Sequence, residues 1–136
     1  MPTALSAVVP YTSFELEALA RGVAEVRRRV VGFAAEVGAD RELQARVALA
    51  VSEAAANVVM HAYRDRGSRP VRVAADFEDG DLEVVVADVG AGLRPGRSPG
   101  LGVGLGVIAD TCDQFVIREG PEGLGVELWM RFHVDA

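Results

Sequence analysis

Apolar positions recur along the chain in two rhythms, and the switch between them divides the sequence into its expected elements. A short apolar run over residues 5–9 reads as an edge strand closed by Pro10, since proline cannot donate to a ladder. From residue 14 to 37 the spacing is helical, through Leu16, Leu19, Val23, Val26, Val30, Phe33 and Val37, and Gly38 stops it. Asp40 suits an N-cap for a second helix running to about Tyr63, and residues 64–68 read as a loop. From Pro70 the period falls to two: Val71, Val73 and Ala75 alternate with Arg72, Ala74 and Asp76, and Asp79-Gly80 is a hairpin turn signal. Residues 82–87 continue as a mostly apolar strand. A glycine-rich stretch follows, then a helix expected over 103–112, then a hairpin with strands over 115–118 and 124–134. The order strand, two helices, hairpin, loop, helix, hairpin predicts an α+β fold. Its form is a two-layer α/β sandwich with helices on one face of a mixed, mainly antiparallel sheet.

Composition narrows the chemistry. A chain of 136 residues, half of them hydrophobic, suits one domain over residues 1–136. The net charge is −6, and all fourteen basic residues are arginine. The missing lysine excludes a P-loop lysine and a Schiff-base lysine, and the acidic balance argues against direct binding to nucleic acid. Cys112 is the lone cysteine, so it has no disulfide partner in the chain and is expected to be a small core side chain. No apolar run approaches the roughly 20 residues a bilayer helix needs, and the N-terminus lacks the pattern of a leader peptide. A cytoplasmic protein without a membrane partner is the expectation.

Three places carry candidate chemistry. Residues 47–63 are almost wholly apolar or small except for Ser52, Glu53, Asn57 and His61. Glu53, Asn57 and His61 stand at i, i+4 and i+8, on one line of the helix. Burying an unpaired carboxylate costs several kcal/mol, so this line is either satisfied by neighbouring backbone or lines a polar cleft. Asp88 ends a buried strand and is followed by Gly90 and Gly92, which leaves an acceptor beside backbone open enough for a flat amine-bearing ring. The same string also reads as an ordinary turn. Gly100, Gly102, Gly104 and Gly106 run into the third helix, where backbone N–H groups and the helix N-terminus favour an anion; a plain hinge is the other reading. Seven of the fifteen glycines lie between Gly90 and Gly106.

Glu53-x-x-x-Asn57, Asp88-x-Gly90-x-Gly92 and Gly100-x-Gly102-x-Gly104 resemble, in order and separation, the N, G1 and G2 boxes of the GHKL (Bergerat-fold) ATPases. The string 51–63 is especially similar to the N box of the stand-alone anti-sigma factor serine/threonine kinases, and the resemblance runs from about Phe14 to Phe132. It implies ATP and Mg²⁺ as cofactors, with Asn57 holding the metal against the triphosphate. Asp88 would accept from the adenine amino group, with Gly90 and Gly92 beside it. His61 would support the same cleft. The stretch from Gly100 to Gly106, with Leu105, would cover the phosphates, and Arg94 and Arg97 would meet the γ-phosphate. Glu53 would be the general base for a hydroxyl of a STAS-domain anti-anti-sigma partner. A sigma factor and a second copy of the chain are the other implied partners. Two departures from the family pattern stand out. The lid between the boxes, residues 93–99, is short, and Val126 follows Gly125 where a threonine is usual near the adenine. Together they predict weaker nucleotide binding and leave a second possibility, a nucleotide-responsive module that sequesters its partner without phosphoryl transfer. Arg27, Arg28 and Arg29 read as a solvated face or as a cluster for an acidic partner.

Overall fold

The computed structural model describes residues 9–64, 70–88, 101–120 and 125–135, with the side chains of 61–64 and 101–103 outside the description. The elements in chain order are β1 (Tyr11–Glu17), α1 (Ala20–Glu36), α2 (Arg41–Arg64), β2 (Pro70–Glu78), β3 (Asp81–Asp88), α3 (Leu101–Thr111), β4 (Gln114–Glu119) and β5 (Val126–His133). The strands form one sheet in the order β1-β2-β3-β5-β4, and all four pairings are antiparallel, with no parallel component among the described residues.

One expectation at the N-terminal end is corrected. A strand lies at Tyr11–Glu17, within the expected first helix, and residues 5–8 of the expected edge strand fall outside the described residues. The helix expected from residue 14 begins at Ala20. Phe14 and Leu16 sit in β1, where alternate residues are half-buried and their strand partners are Val73 and Val71. The spacing 14, 16, 19, 23 fits either period at its start, and pairing with β2 decides for the strand.

Elsewhere local chemistry sets the boundaries as expected. Gly38 ends α1 with φ 108°; its N–H donates to the Ala35 carbonyl, and the Ala39 N–H donates to the Ala34 carbonyl. This double bond pattern satisfies the last carbonyls and needs a residue at ease with positive φ. Asp40 caps α2, its Oδ1 accepting from the Leu43 N–H at 2.8 Å. Asp79 and Gly80, with φ 54° and 84°, make the two-residue turn whose twist suits a tight hairpin.

The core lies between the sheet and the helices. Val71, Val73, Leu82, Val84, Val86, Leu128, Met130 and Phe132 point from one sheet face into a cluster with Val26, Val30, Val47, Val51, Ala54, Val58 and Ile108. The opposite face carries cross-strand ion pairs instead: Arg72 to Glu15 at 2.8 Å and Arg131 to Glu83 at 2.7 Å, with Arg118 stacked 4.4 Å from the Trp129 ring. These pairs are exposed and contribute little each, but they keep that face wet. Leu82 is fully buried on the apolar face. Leu82→Ala is expected to lower unfolding free energy by about 2–5 kcal/mol, measured by urea denaturation.

Candidate functional site

Helix α2 is long and mostly made of small apolar residues, and it presents two different faces. Val47, Val51, Ala54 and Val58 are essentially inaccessible and seal the core. Glu53 and Asn57 occupy a neighbouring line, one turn apart. Asn57 is 6% exposed, and its Nδ2 has no hydrogen-bond partner among the described residues. An amide N–H buried in this way costs free energy, and an acceptor oxygen of a ligand would complete it. The Glu53 carboxylate, beside it, is half-buried.

Helix α3 closes over this line. It starts at Leu101, two residues earlier than expected, so Gly102, Gly104 and Gly106 lie within its first two turns. A methyl group at Gly104 would stand 2.9 Å from Asn57 Nδ2 and 3.5 Å from both Asn57 Oδ1 and Glu53 Oε1. A larger residue there would have to push the Asn57 side chain aside. Gly106, by contrast, faces open space. Leu105 is half-buried against the core cluster.

Asp88 is buried at the C-terminal end of β3, 7% exposed and paired in register with Val71. Alternation along the strand puts it on the same face as Leu82, Val84 and Val86, beneath the helices. Ala87 pairs with Glu127, so continuing the register by one residue brings Val126 alongside Asp88. Val126 is fully buried, and Gly125 before it has φ 73°. The end of the sheet therefore offers one carboxylate and one apolar wall.

Of the sequence-predicted site residues, the structure brings Glu53, Asn57 and Gly104 together and buries Asp88. Gly90, Gly92, Arg94, Arg97 and Gly100 lie outside the described residues, as does the side chain of His61; Gly102 is described only as part of the α3 backbone. Among the described residues no group of three or more His, Cys, Asp or Glu side chains could hold a metal on its own. Cys112 is a core residue: burial pushes its thiol up, and its Sγ donates to the Ile108 carbonyl at 3.1 Å. A protonated, buried thiol is a poor nucleophile.

The arginine cluster on α1 is divided. Arg28 and Arg29 both pair with Glu25, whose carboxyl they hold below the usual range, and Arg29 also lies 4.8 Å from the Phe14 ring centroid. Arg27 instead reaches the Ser52 hydroxyl at 3.2 Å, next to Glu53. A further arginine escaped the sequence reading. Arg46, on α2, donates through Nε to the Thr111 carbonyl at 3.0 Å and approaches Asp113 at 3.4 Å. In sequence it is an ordinary surface arginine, and nothing local signals a partner 65 residues away.

A family profile described as a histidine kinase-like ATPase domain matches residues 16–132. A curated relative, the serine-protein kinase RsbW of Bacillus velezensis, is 35% identical over 86 residues, covering 63% of this chain and 54% of the relative. The aligned part thus spans about half of that relative's length. A crystal structure of the RsbU and RsbW domains of a Mycobacterium tuberculosis protein is similar at a TM-score of 0.71 and 25% identity, over 91% of this chain and 32% of that one. No helix among the described residues is long and apolar enough to cross a membrane.

The glycine geometry gives a paired test. Gly106→Ala is expected to raise stability by about 0.5–1 kcal/mol, because alanine favours helix and meets nothing. Gly104→Ala should lower the melting temperature and weaken nucleotide binding, because its methyl displaces Asn57. Thermal melts and calorimetric titration with Mg-ADP check both.

Proposed function

The chain belongs to the histidine kinase-like ATPase domain family, and on that premise we propose that it is an anti-sigma factor that phosphorylates its own antagonist. The substrate hydroxyl belongs to a serine or threonine of a STAS-domain anti-anti-sigma protein, and Mg-ATP is the donor. The observation that carries this reading is the convergence of Glu53 and Asn57 on Gly104, with an unpartnered buried amide at its centre. The serine-protein kinase relative supports the reaction class.

The parts fit the chemistry. Phosphoryl transfer asks mainly for positioning and for stabilisation of charge on the phosphoryl oxygens. When bound, ATP would supply the γ-phosphoryl group and Mg²⁺ would neutralise charge on the phosphates. Asn57 offers one amide oxygen as a hard ligand, which suits Mg²⁺ because that ion keeps several waters and takes few protein ligands. The N-terminus of α3 adds partial positive charge where the phosphates would lie. Glu53 accepts the proton of the incoming hydroxyl as its oxygen bonds to phosphorus and the bond to the ADP oxygen breaks. Asp88 accepts from the adenine amino group. Gly90 and Gly92 would stand beside Asp88 at the adenine, Gly100 and Gly102 with Arg94 and Arg97 would serve the phosphates, and His61 would support the cleft. A sigma factor and a second copy of the chain complete the set of partners.

One observation favours a second reading. The apolar, fully buried Val126 beside Asp88 gives the adenine no hydroxyl, and weak nucleotide binding suits a module that sequesters a sigma factor or STAS protein without transfer.

Incubation with labelled ATP, Mg²⁺ and the STAS partner separates the two. The kinase reading expects label on the partner; measurable ATP binding with no transfer would leave the sequestering module. Glu53→Ala should slow transfer by about 10²–10⁴-fold while sparing nucleotide affinity, and Asn57→Ala should remove the Mg²⁺-dependent part of that affinity. An unchanged rate in Glu53→Ala would remove it from the role of base. Val126→Thr tests the adenine end. It should destabilise the nucleotide-free protein by about 1–3 kcal/mol, through an unpaired buried hydroxyl, yet tighten ADP binding. A melt with and without Mg-ADP reads both effects.

A further inference from the structure

The site depends on where α3 lies along α2. At the close approach Gly104 of α3 meets the Asn57 and Glu53 side chains, while Leu105 and Ile108 of the same helix pack into the core cluster. Apolar packing is non-directional, and the glycines at 102, 104 and 106 lower the intrinsic helicity of α3. A hydrogen-bonded contact at the other end of the helix therefore defines the register more sharply than packing alone.

Arg46 supplies it. It precedes Glu53 by seven residues and Asn57 by eleven, so at 3.6 residues per turn all three fall within about 20° of one line on α2. That line is the one α3 covers, because Gly104 sits against Asn57 while the Thr111 carbonyl accepts from Arg46 Nε at 3.0 Å. The two helices run antiparallel along it. Between Asn57 and Arg46 α2 rises about 16 Å, and between Gly104 and Thr111 α3 rises about 10 Å. The extended arginine side chain spans the difference. Its guanidinium meets an orphan carbonyl at the negative end of the helix, where a cation is favoured. The same group approaches Asp113 at 3.4 Å, and Asp113 is tied to β5: its Oδ2 accepts from the His133 N–H at 2.7 Å and its N–H donates to the Arg131 carbonyl at 2.9 Å.

We infer that Arg46 is a positioning residue for the phosphate-side helix. It anchors the C-terminal end of α3 to α2 and to the sheet, and so sets the placement of Gly104 against Asn57 at the other end. The structural part stands on the hydrogen bonds; the functional consequence rests on the ATP-binding reading above.

The test uses the full chain as wild type, Arg46→Met and Arg46→Lys. Methionine keeps an unbranched stem without a donor, and lysine keeps charge and a donor. In the nucleotide-free protein, the backbone amide resonance of Gly104 and the side-chain amide resonance of Asn57 should both shift in Arg46→Met and return toward wild type in Arg46→Lys. With Mg-ADP, Arg46→Met should bind about five- to tenfold more weakly, the loss expected for one charge-assisted hydrogen bond. Unmoved Gly104 and Asn57 resonances in Arg46→Met would reduce Arg46 to a local helix cap and overturn the inference. So would equal loss of affinity in Arg46→Met and Arg46→Lys. If wild type binds no Mg-ADP, the ATP-binding reading fails by itself, and the resonances alone decide whether Arg46 sets the register.

Discussion

The close approach of α3 to α2 at Gly104 is the constraint on which the rest of this structure depends. A Cβ there would stand 2.9 Å from the Asn57 amide nitrogen, so the Asn57 side chain can keep its position only beside glycine. The approach keeps Asn57 out of water and leaves its amide nitrogen without a protein partner among the described residues. A buried, unsatisfied amide is costly, and it persists because the surrounding helix is held on two other sides. One side is the apolar stripe of α2, from Val47 to Val58, pressed against the sheet. The other is the far end of α3, tied down by Arg46.

This arrangement explains why one helix carries both the core and the chemistry. α2 is central to the helix layer, and its stripe at 47, 51, 54 and 58 touches the same cluster as Leu82, Val84 and Leu128. Turning the helix to improve the packing of one face would move Glu53 and Asn57 away from α3. Stability and site geometry are therefore coupled through a single rigid element, which suits a phosphoryl-transfer site that relies on positioning rather than on a covalent intermediate. The sheet contributes at its end, where Asp88 shares the apolar face with the core valines and has buried Val126 beside it.

The composition acquires a physical meaning from the same geometry. A site that holds phosphate through backbone N–H groups, a helix N-terminus and a metal has no need of lysine. The glycines crowded between 90 and 106 divide in this reading between an adenine-side turn and a phosphate-side helix, and for Gly104 the close approach gives the reason directly. The arginines serve unlike ends: Arg72 and Arg131 pair across the exposed sheet face, Arg28 and Arg29 share Glu25, and Arg46 binds a carbonyl.

The sequence by itself determined what is local or periodic. The α2 helix with its Asp40 cap, the Gly38 stop, the Asp79-Gly80 hairpin and the order of elements follow from spacing and turn chemistry, as do the placing of Glu53 and Asn57 on one line of a helix and of Asp88 at the end of a buried strand. Tertiary structure decided what depends on a partner distant in sequence. Phe14 and Leu16 became strand residues because β2 offered a ladder, and an ambiguous short spacing cannot foresee that. The choice of Gly104 rather than Gly106 as the point of contact depends on which side of α3 faces α2. Arg46 found the Thr111 carbonyl across 65 residues, a pairing that exists only once the two helices lie together, because the acceptor is a backbone group and leaves no mark in the sequence.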